Sequence, residues 1–376
     1  MSEWHKTSWG EVAALEYGKA LREYRSDLGE VRVYGTNGPV GWTNVRQAEG
    51  PGVIIGRKGA YRGVHYSIDD FWVIDTAYYL RPLGSMNLRW AYYALVDVDI
   101  NSMDSGSAIP STSRADFYSL PVAVPPPHEQ DAIAEVLGAL DDKIAINERI
   151  ETAALELAMA VYSRESSSAE WRRITLGEAA RWYSGGTPRT SVPEYWGGTI
   201  PWISASSLKT PWIRDSDRRV TELGAENGTR IAARHTILFV VRGMSLMTEF
   251  RVGITQREVA FGQDCKALVA APGVNPATLF LAVKSKEKEI LGMVDLAGHG
   301  TGRLVTDRLA SISIGLPRGE VAASAFSKLT NPLIERASIV GLENQTLAAL
   351  RDTLLPQLMS GRLRVKDAEK IVEDHT

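Results

Sequence analysis

The chain has 376 residues and ordinary apolar content, 44%, so it is long enough for two or three domains with real cores and is not read as disordered. Its one cysteine, Cys265, excludes an internal disulfide and a Cys-rich zinc site, which fits a reducing, cytoplasmic setting. The net charge of −3 is no mark of a nucleic-acid binder, but it is unevenly spread: residues 131–165 carry eight acids and three bases, and residues 171–316 carry nineteen bases and thirteen acids.

In chain order, the N-terminus has no apolar run of signal-peptide length, and no later run reaches eighteen apolar residues, so an unexported chain with no membrane span is expected. In "GPGVIIGRKGAYRGVHYSIDDFWVIDTAYYLRP" (Gly50–Pro82), "VII" and "FWVI" read as short buried strands. Between them lies a glycine-rich turn with Arg57, Lys58 and Arg62. Glycines let a backbone come close to a partner, and such bases suit phosphate or a guanine edge, although a solvated hairpin has the same pattern.

The run "LPVAVPPPHEQDAIAEVLGALDDKIAINERI" (Leu120–Ile150) changes from strand-like alternation to a long helical pattern at three prolines. Ile133, Leu137, Leu140 and Ile144 mark one helix face. Asp141 and Asp142 are neighbours that cannot face each other on a helix, so they read as solvated. Asp69-Asp70 is a second adjacent pair. About 35 residues of helix would span roughly 50 Å.

The later part of the chain repeats this plan. "DFYSLPVAVPPP" (Asp116–Pro127) matches "RLASISIGLPRG" (Arg308–Gly319) at a constant offset of 192 residues, pairing Phe117 with Leu309, Leu120 with Ile312, Val124 with Leu316 and Pro125 with Pro317. The same offset lays Leu155 on Leu347. In the C-terminal helix, read as unbroken up to Pro356, Leu333, Val340, Leu347 and Leu354 recur every seven residues, the spacing of a helix packed along a partner. Gly138 and Gly341 weaken the two helices slightly. The helices are natural partners for each other, as a spacer between two globular segments or as a hairpin within a larger core.

The second globular segment opens with "ITLGEAARWYSGGTPRTSVPEYWGGTIPWISASSLK" (Ile174–Lys209), whose loop offers Thr187 and Arg189. Its aromatics Tyr183, Tyr195, Trp196 and Trp202 read as core. "TILFVVRGMSLMTEFRVGI" (Thr236–Ile254) repeats the strand, basic-glycine turn, strand order, with Arg242-Gly243 near where Lys58-Gly59 stood. "GHGTGRLVTDRL" (Gly298–Leu309) and "SGSAIPSTSRADF" (Ser105–Phe117) are small, hydroxyl-rich segments before the last strand of each half.

Catalytic signatures are missing. There is no P-loop, no HExxH among His5, His65, His128, His235, His299 and His375, no G-x-S-x-G elbow and no amino-methylation motif beyond a partial, misplaced "TNPLIER". The chain reads as a binder without its own catalytic centre. A helical protein scaffold and a self-contained nucleic-acid enzyme are the competing classes.

Four segments together resemble the specificity subunit of type I restriction–modification systems: "IGRKGAYRG…FWVIDTAYYL", "PPPHEQDAIAEVLGALDDKIAINERI", "SGGTPRTSVPEYWGGTIPWISASSLK" and "LENQTLAALRDTLLPQLMSGRLRV". The resemblance spans about Gly41 to Val365. It implies an α+β chain with two mixed α/β target-recognition domains in a pseudo-two-fold arrangement, separated by two long antiparallel helices acting as a coiled-coil spacer. The corresponding boundaries are 1–125 and 169–316 for the domains, and 126–168 and 317–376 for the helices and tail.

The same resemblance implies that double-stranded DNA is the ligand, one half-site per domain. Methyltransferase subunits, two per chain, would dock along the helices, and restriction subunits are further partners. S-adenosylmethionine, ATP and Mg would belong to those partners, not to this chain. Carried over by position, Arg57, Lys58, Arg62, Arg242 and the loop Thr187–Arg189 would approach DNA. Ser111, Ser113, Arg114, Thr301 and Arg303 follow from the hydroxyl-rich loops. The first half begins abruptly, without the "SGGTPxT" opening of the second, and the second turn lacks the lysine of the first.

Overall fold

The computed structural model describes residues 4–24, 28–103, 110–297 and 300–374. It divides into two compact units. One joins Met1–Ile144 to Thr346–Thr376, and the other is Ala145–Gln345. Each unit holds one mixed α/β module and part of each long helix.

In the first unit, strand His5–Ser8 pairs antiparallel with Pro121–Val124. A short helix, Trp9–Val12, leads to an antiparallel sheet in the order Ala13–Tyr17, Ala77–Pro82, Gly52–Gly56, Val64–Ser67. A smaller sheet places Val31–Gly35 between Gly38–Thr43 and Phe71–Val73, the last pairing being parallel. Trp9 stacks near Trp90 and Phe117 at 6.3 and 5.9 Å, and these three rings anchor the core.

The second unit repeats each of these steps. Trp171–Thr175 pairs with Ser313–Pro317, helix Leu176–Ala179 follows, and Ala180–Ser184 enters a sheet beside Cys265–Ala270, Ile237–Val240, Val252–Thr255 and Trp212–Ile213. Here too the smaller sheet contains a parallel pair, Trp196–Ile203 with Val259–Phe261. Helix Leu88–Val96 is capped by Asn87, whose side chain accepts from the amides of Arg89 and Trp90. Helix Pro276–Ser285 is capped in the same way by Asn275.

The first half therefore does not begin abruptly. Ser8-Trp9-Gly10-Glu11 occupies the place of Thr175-Leu176-Gly177-Glu178. The offset there is 167 residues, and it grows to 188 at the asparagine caps and to 192 after them. Longer loops in the second half account for the drift and hide the entry from a gapless comparison.

The long helices run over Pro127–Glu165 and Gly319–Met359, 39 and 41 residues, longer than expected. In the first unit, Ile133, Leu137 and Leu140 pack with Leu347, Leu354 and Leu358. In the second, Leu155, Ala158 and Tyr162 pack with Phe326, Ile334 and Ala337. The ring of Tyr162 meets Trp171 and Phe326 edge-on, tying both helices to the first strand of the module.

Two expectations about the helices change. The second helix also passes through Pro332, so it is not free of proline before Pro356. A proline inside a helix removes one ladder hydrogen bond, and burial of Ile334 and Ala337 beside it outweighs that loss. Asp142 is exposed as expected, but it is ion-paired, and Asp141 is only partly exposed, so the pair is not simply a solvated face. Asp141 accepts from Tyr93 Oη at 2.7 Å and from Arg351 at 2.8 Å, and Asp142 takes both terminal nitrogens of Arg89 at 2.6 and 2.9 Å. Asp70 likewise accepts from Arg46 and from the Gly50 amide.

Candidate nucleic-acid interface

In the first unit, the fully buried strand Gly52–Gly56 ends at Arg57. The amides of Arg57 and Lys58 both donate to the Thr76 carbonyl, at 2.9 and 3.2 Å. The hydroxyl-rich loop then returns to this turn: Thr112 N donates to Arg57 O, Gly59 N donates to Pro110 O, and Lys58 forms an antiparallel bridge with Ser111. Gly59 has φ +126, a backbone conformation that a side chain disfavours.

The second unit builds the same node. Val241 N and Arg242 N donate to Asp264 O at 2.8 and 3.3 Å, and Leu304 N donates to Val241 O at 2.9 Å. Arg242 lies opposite Arg303 and Gly243 opposite Gly302. Lys58 thus corresponds to Arg242, and Ser111 to Arg303. The backbone frame is common and the side chains on it differ.

Side-chain surroundings separate the candidates. Lys58 is exposed. Arg57 lies over Tyr17 at 4.9 Å and Tyr78 at 5.6 Å, and Arg114 lies over Tyr17 at 5.2 Å while donating to Tyr118 Oη at 2.9 Å. Two arginines thus share one aromatic ring, which fixes their heads, and among the described residues neither has an ion-pair partner. Ser113 caps the helix Arg114–Ser119: its oxygen accepts from Asp116 N at 3.0 Å and its hydroxyl donates to the Asp116 carboxylate at 2.6 Å.

Arg62 departs from the expectation. It is 3% exposed and donates to the carbonyls of Asn101 and Met103 at 2.9 and 2.7 Å, so it closes a loop and has no surface to offer a phosphate. The loop residues 105–109 lie outside the described residues, as do His299 and His375.

In the second unit, Arg242 and Arg303 are both exposed and directly opposite on the ladder. Like charges so placed are destabilising by themselves. Asp295 faces Arg303 across the next strand, but its carboxylate engages Arg308 at 3.1 Å. Thr301 begins the strand that carries Arg303. An anion laid across the two guanidinium groups would relieve their repulsion.

Thr187 and Arg189 sit on a separate loop. Gly186 N donates to Phe261 O at 3.0 Å, Trp202 Nε1 donates to Gly186 O, and Trp196 Nε1 donates to Arg189 O, leaving the Arg189 side chain exposed. Trp202 is buried, and Trp196 is half-buried with Arg218 3.8 Å above its ring.

The first unit has a matching loop that sequence reading missed. Lys19 N donates to Val73 O at 2.8 Å, as Gly186 N does to Phe261 O. Side chains at Gly18 and Gly185 would each collide with backbone carbonyls, of Val73 and Ile74 in one unit and of Phe261 and Gly262 in the other. This register puts exposed Arg22 in the place of Arg189. The shared Gly-Glu at Gly10-Glu11 and Gly177-Glu178 was the available signal.

Among the described residues, no group of three His, Cys, Asp or Glu is placed to hold a metal ion, and no helix is long and apolar enough to cross a membrane. Burial pushes the Cys265 thiol up to about 12.

The molecule is thus a duplicated mixed α/β chain built on two long helices, each module offering a basic turn stitched to a loop. The family model described as "Type I restriction modification DNA specificity domain" matches residues 1–156 and 168–344, and the chain belongs to that family. It is 25% identical over 266 residues to the Type I restriction enzyme EcoR124I/EcoR124II specificity subunit of Escherichia coli, covering 66% of this chain and 65% of that one, a little under two thirds of that relative. It is 29% identical over 150 residues to the Type I restriction enzyme MjaIX specificity subunit of Methanocaldococcus jannaschii, covering 39% of this chain and 33% of the relative. The crystal structure of a type I restriction–modification S subunit from M. genitalium shares the fold, with a TM-score of 0.63 at 18% identity over 94% of this chain and 96% of that one.

Proposed function

We propose that this chain is the non-catalytic, DNA-reading subunit of a type I restriction–modification complex. The modules at 1–125 and 169–316 each read one half of a split site in double-stranded DNA, and the long helices set the gap and receive methyltransferase subunits, two per chain. Restriction subunits are further partners. S-adenosylmethionine, ATP and Mg enter with those partners, and the complex works in the cytoplasm.

The observation that carries this reading is the node found in both modules. The same backbone hydrogen bonds present Lys58 with Ser111 in one and Arg242 with Arg303 in the other. A constant frame with exchanged side chains suits two readers of different half-sites: phosphate contacts set register and base contacts discriminate.

The test is to co-express the chain with its neighbouring methyltransferase and map methylated adenines across the genome. A two-part motif with a fixed gap is expected, and methylation without one overturns the reading. A protein scaffold predicts no salt-dependent retention on duplex DNA, and a self-contained enzyme predicts activity from the purified chain alone.

A further inference from the structure

Strand Trp212–Ile213 is the edge of the five-stranded sheet in Ala145–Gln345, and it pairs in parallel with Val252–Thr255. That neighbour is the strand to which the chain returns after the basic turn at Arg242. The residue following the edge strand is Arg214. Its Nη2 donates to the Ala337 carbonyl of the second long helix at 2.8 Å and pairs with the Glu151 carboxylate of the first at 2.7 Å. Room for it comes from Gly341, where a Cβ would run into both the Arg214 guanidinium and the Glu151 carboxylate.

Despite its hydrogen bond and ion pair, this arrangement is a poor source of stability. The two side chains are only 12% and 18% exposed. Burial raises the Glu151 pKa and lowers that of Arg214, so for each group desolvation outweighs the attraction of its partner. A buried pair of that kind is often no better than two apolar side chains of the same volume, and a glycine inside a helix is unfavourable in its own right. The arrangement does supply direction. A guanidinium is a planar fork with fixed hydrogen-bond vectors, and this one reaches a carbonyl of one helix and a carboxylate of the other from a single sheet edge.

We infer that Arg214 is a positioning residue for DNA reading: seated in the Gly341 notch and held by Glu151, it fixes the angle at which the five-stranded sheet, whose strands Ile237–Val240 and Val252–Thr255 flank the turn at Arg242, stands on the two long helices. This rests on the proposed function and adds to it a residue that touches no DNA yet governs discrimination at one half-site. Gly341 and Gly138 are not related by the 192-residue offset, so the duplication does not dictate the notch.

The test uses the full complex with its methyltransferase and S-adenosylmethionine, assayed on duplexes in which each half-site is varied separately. The variant combines Arg214→Met with Glu151→Leu, which keeps volume and removes charge. Its urea midpoint and its affinity for non-specific duplex should be unchanged or higher. Its preference for the cognate sequence should fall at least ten-fold at the half-site read by residues 169–316 and stay constant at the other. Arg214→Lys, which keeps the charge but lacks the fork, should show the same one-sided loss, and it serves if the double variant folds poorly. Full discrimination at both half-sites in these variants overturns the inference alone. A wild-type complex with no half-site preference overturns the functional reading and this inference together.

Discussion

Lys58 and Arg57 illustrate how much of the candidate interface rests on single side chains. Both amides are committed to the Thr76 carbonyl, so the turn keeps its shape whatever the side chains are. The Arg57 guanidinium is held over Tyr17 and Tyr78 and donates to the Asp75 carbonyl, and Lys58 is exposed. Replacing both (Arg57→Ala with Lys58→Ala) should therefore weaken duplex binding while leaving assembly with the methyltransferase intact. Band shifts at fixed salt measure the first and size-exclusion chromatography of the mixed subunits the second. Loss of assembly would make the turn structural. Arg62 shows the limit of reading charge from sequence: it sits in the same basic run, but its head closes a loop against Asn101 and Met103.

At the scale of elements, the glycines of the long helices invert a propensity rule. In an exposed helix, Gly→Ala stabilises by about 1 kcal/mol. At Gly138 a Cβ would come within 2.6 to 2.8 Å of the Arg89 guanidinium, which donates to the Gly138 carbonyl and to Asp142. Overpacking at such a contact costs about 1–3 kcal/mol. Gly138→Ala should thus lower stability, read as a lower urea midpoint, and adding Arg89→Ala should restore part of it; an unchanged or raised midpoint for the single variant would mean that the arginine moves aside freely. The helices themselves were legible from the seven-residue recurrence of Leu333, Val340, Leu347 and Leu354 and from the prolines that precede each one. The repeat was legible only where its offset is constant. Before Ser111 the two halves differ in loop length, so the pairs Ser8–Thr175, Lys58–Arg242 and Asn87–Asn275 fall at three different offsets, and no single shift finds them. Of the candidate site residues, sequence identified the bases but not their setting. Whether an arginine is stacked, buried or opposed to another depends on strands far apart in the chain.

For the whole molecule, the proposed function requires a chain of net charge −3 to hold a polyanion. Part of the answer is that some of its acids are occupied: on the first long helix, Asp131, Asp141, Asp142 and Glu151 have hydrogen-bond or ion-pair partners within their own unit. Screening supplies the rest, because at physiological ionic strength charges act over only about 8 Å, so bases at the surface outweigh acids further off. Binding then follows local contacts, and each phosphate neutralised adds roughly −0.9 to the slope of log affinity against log salt. Arg242→Ala with Arg303→Ala turns this into a choice between roles. If the two guanidinium groups hold one shared phosphate, the slope should become shallower by about 0.9 and every sequence should lose affinity alike. If they read base edges, the slope should stay near its wild-type value, and preference at one half-site should fall by about 1–3 kcal/mol per contact. Their position directly opposite each other, where mutual repulsion is relieved by one shared anion, favours the first outcome, and titrations at three or four salt concentrations decide it.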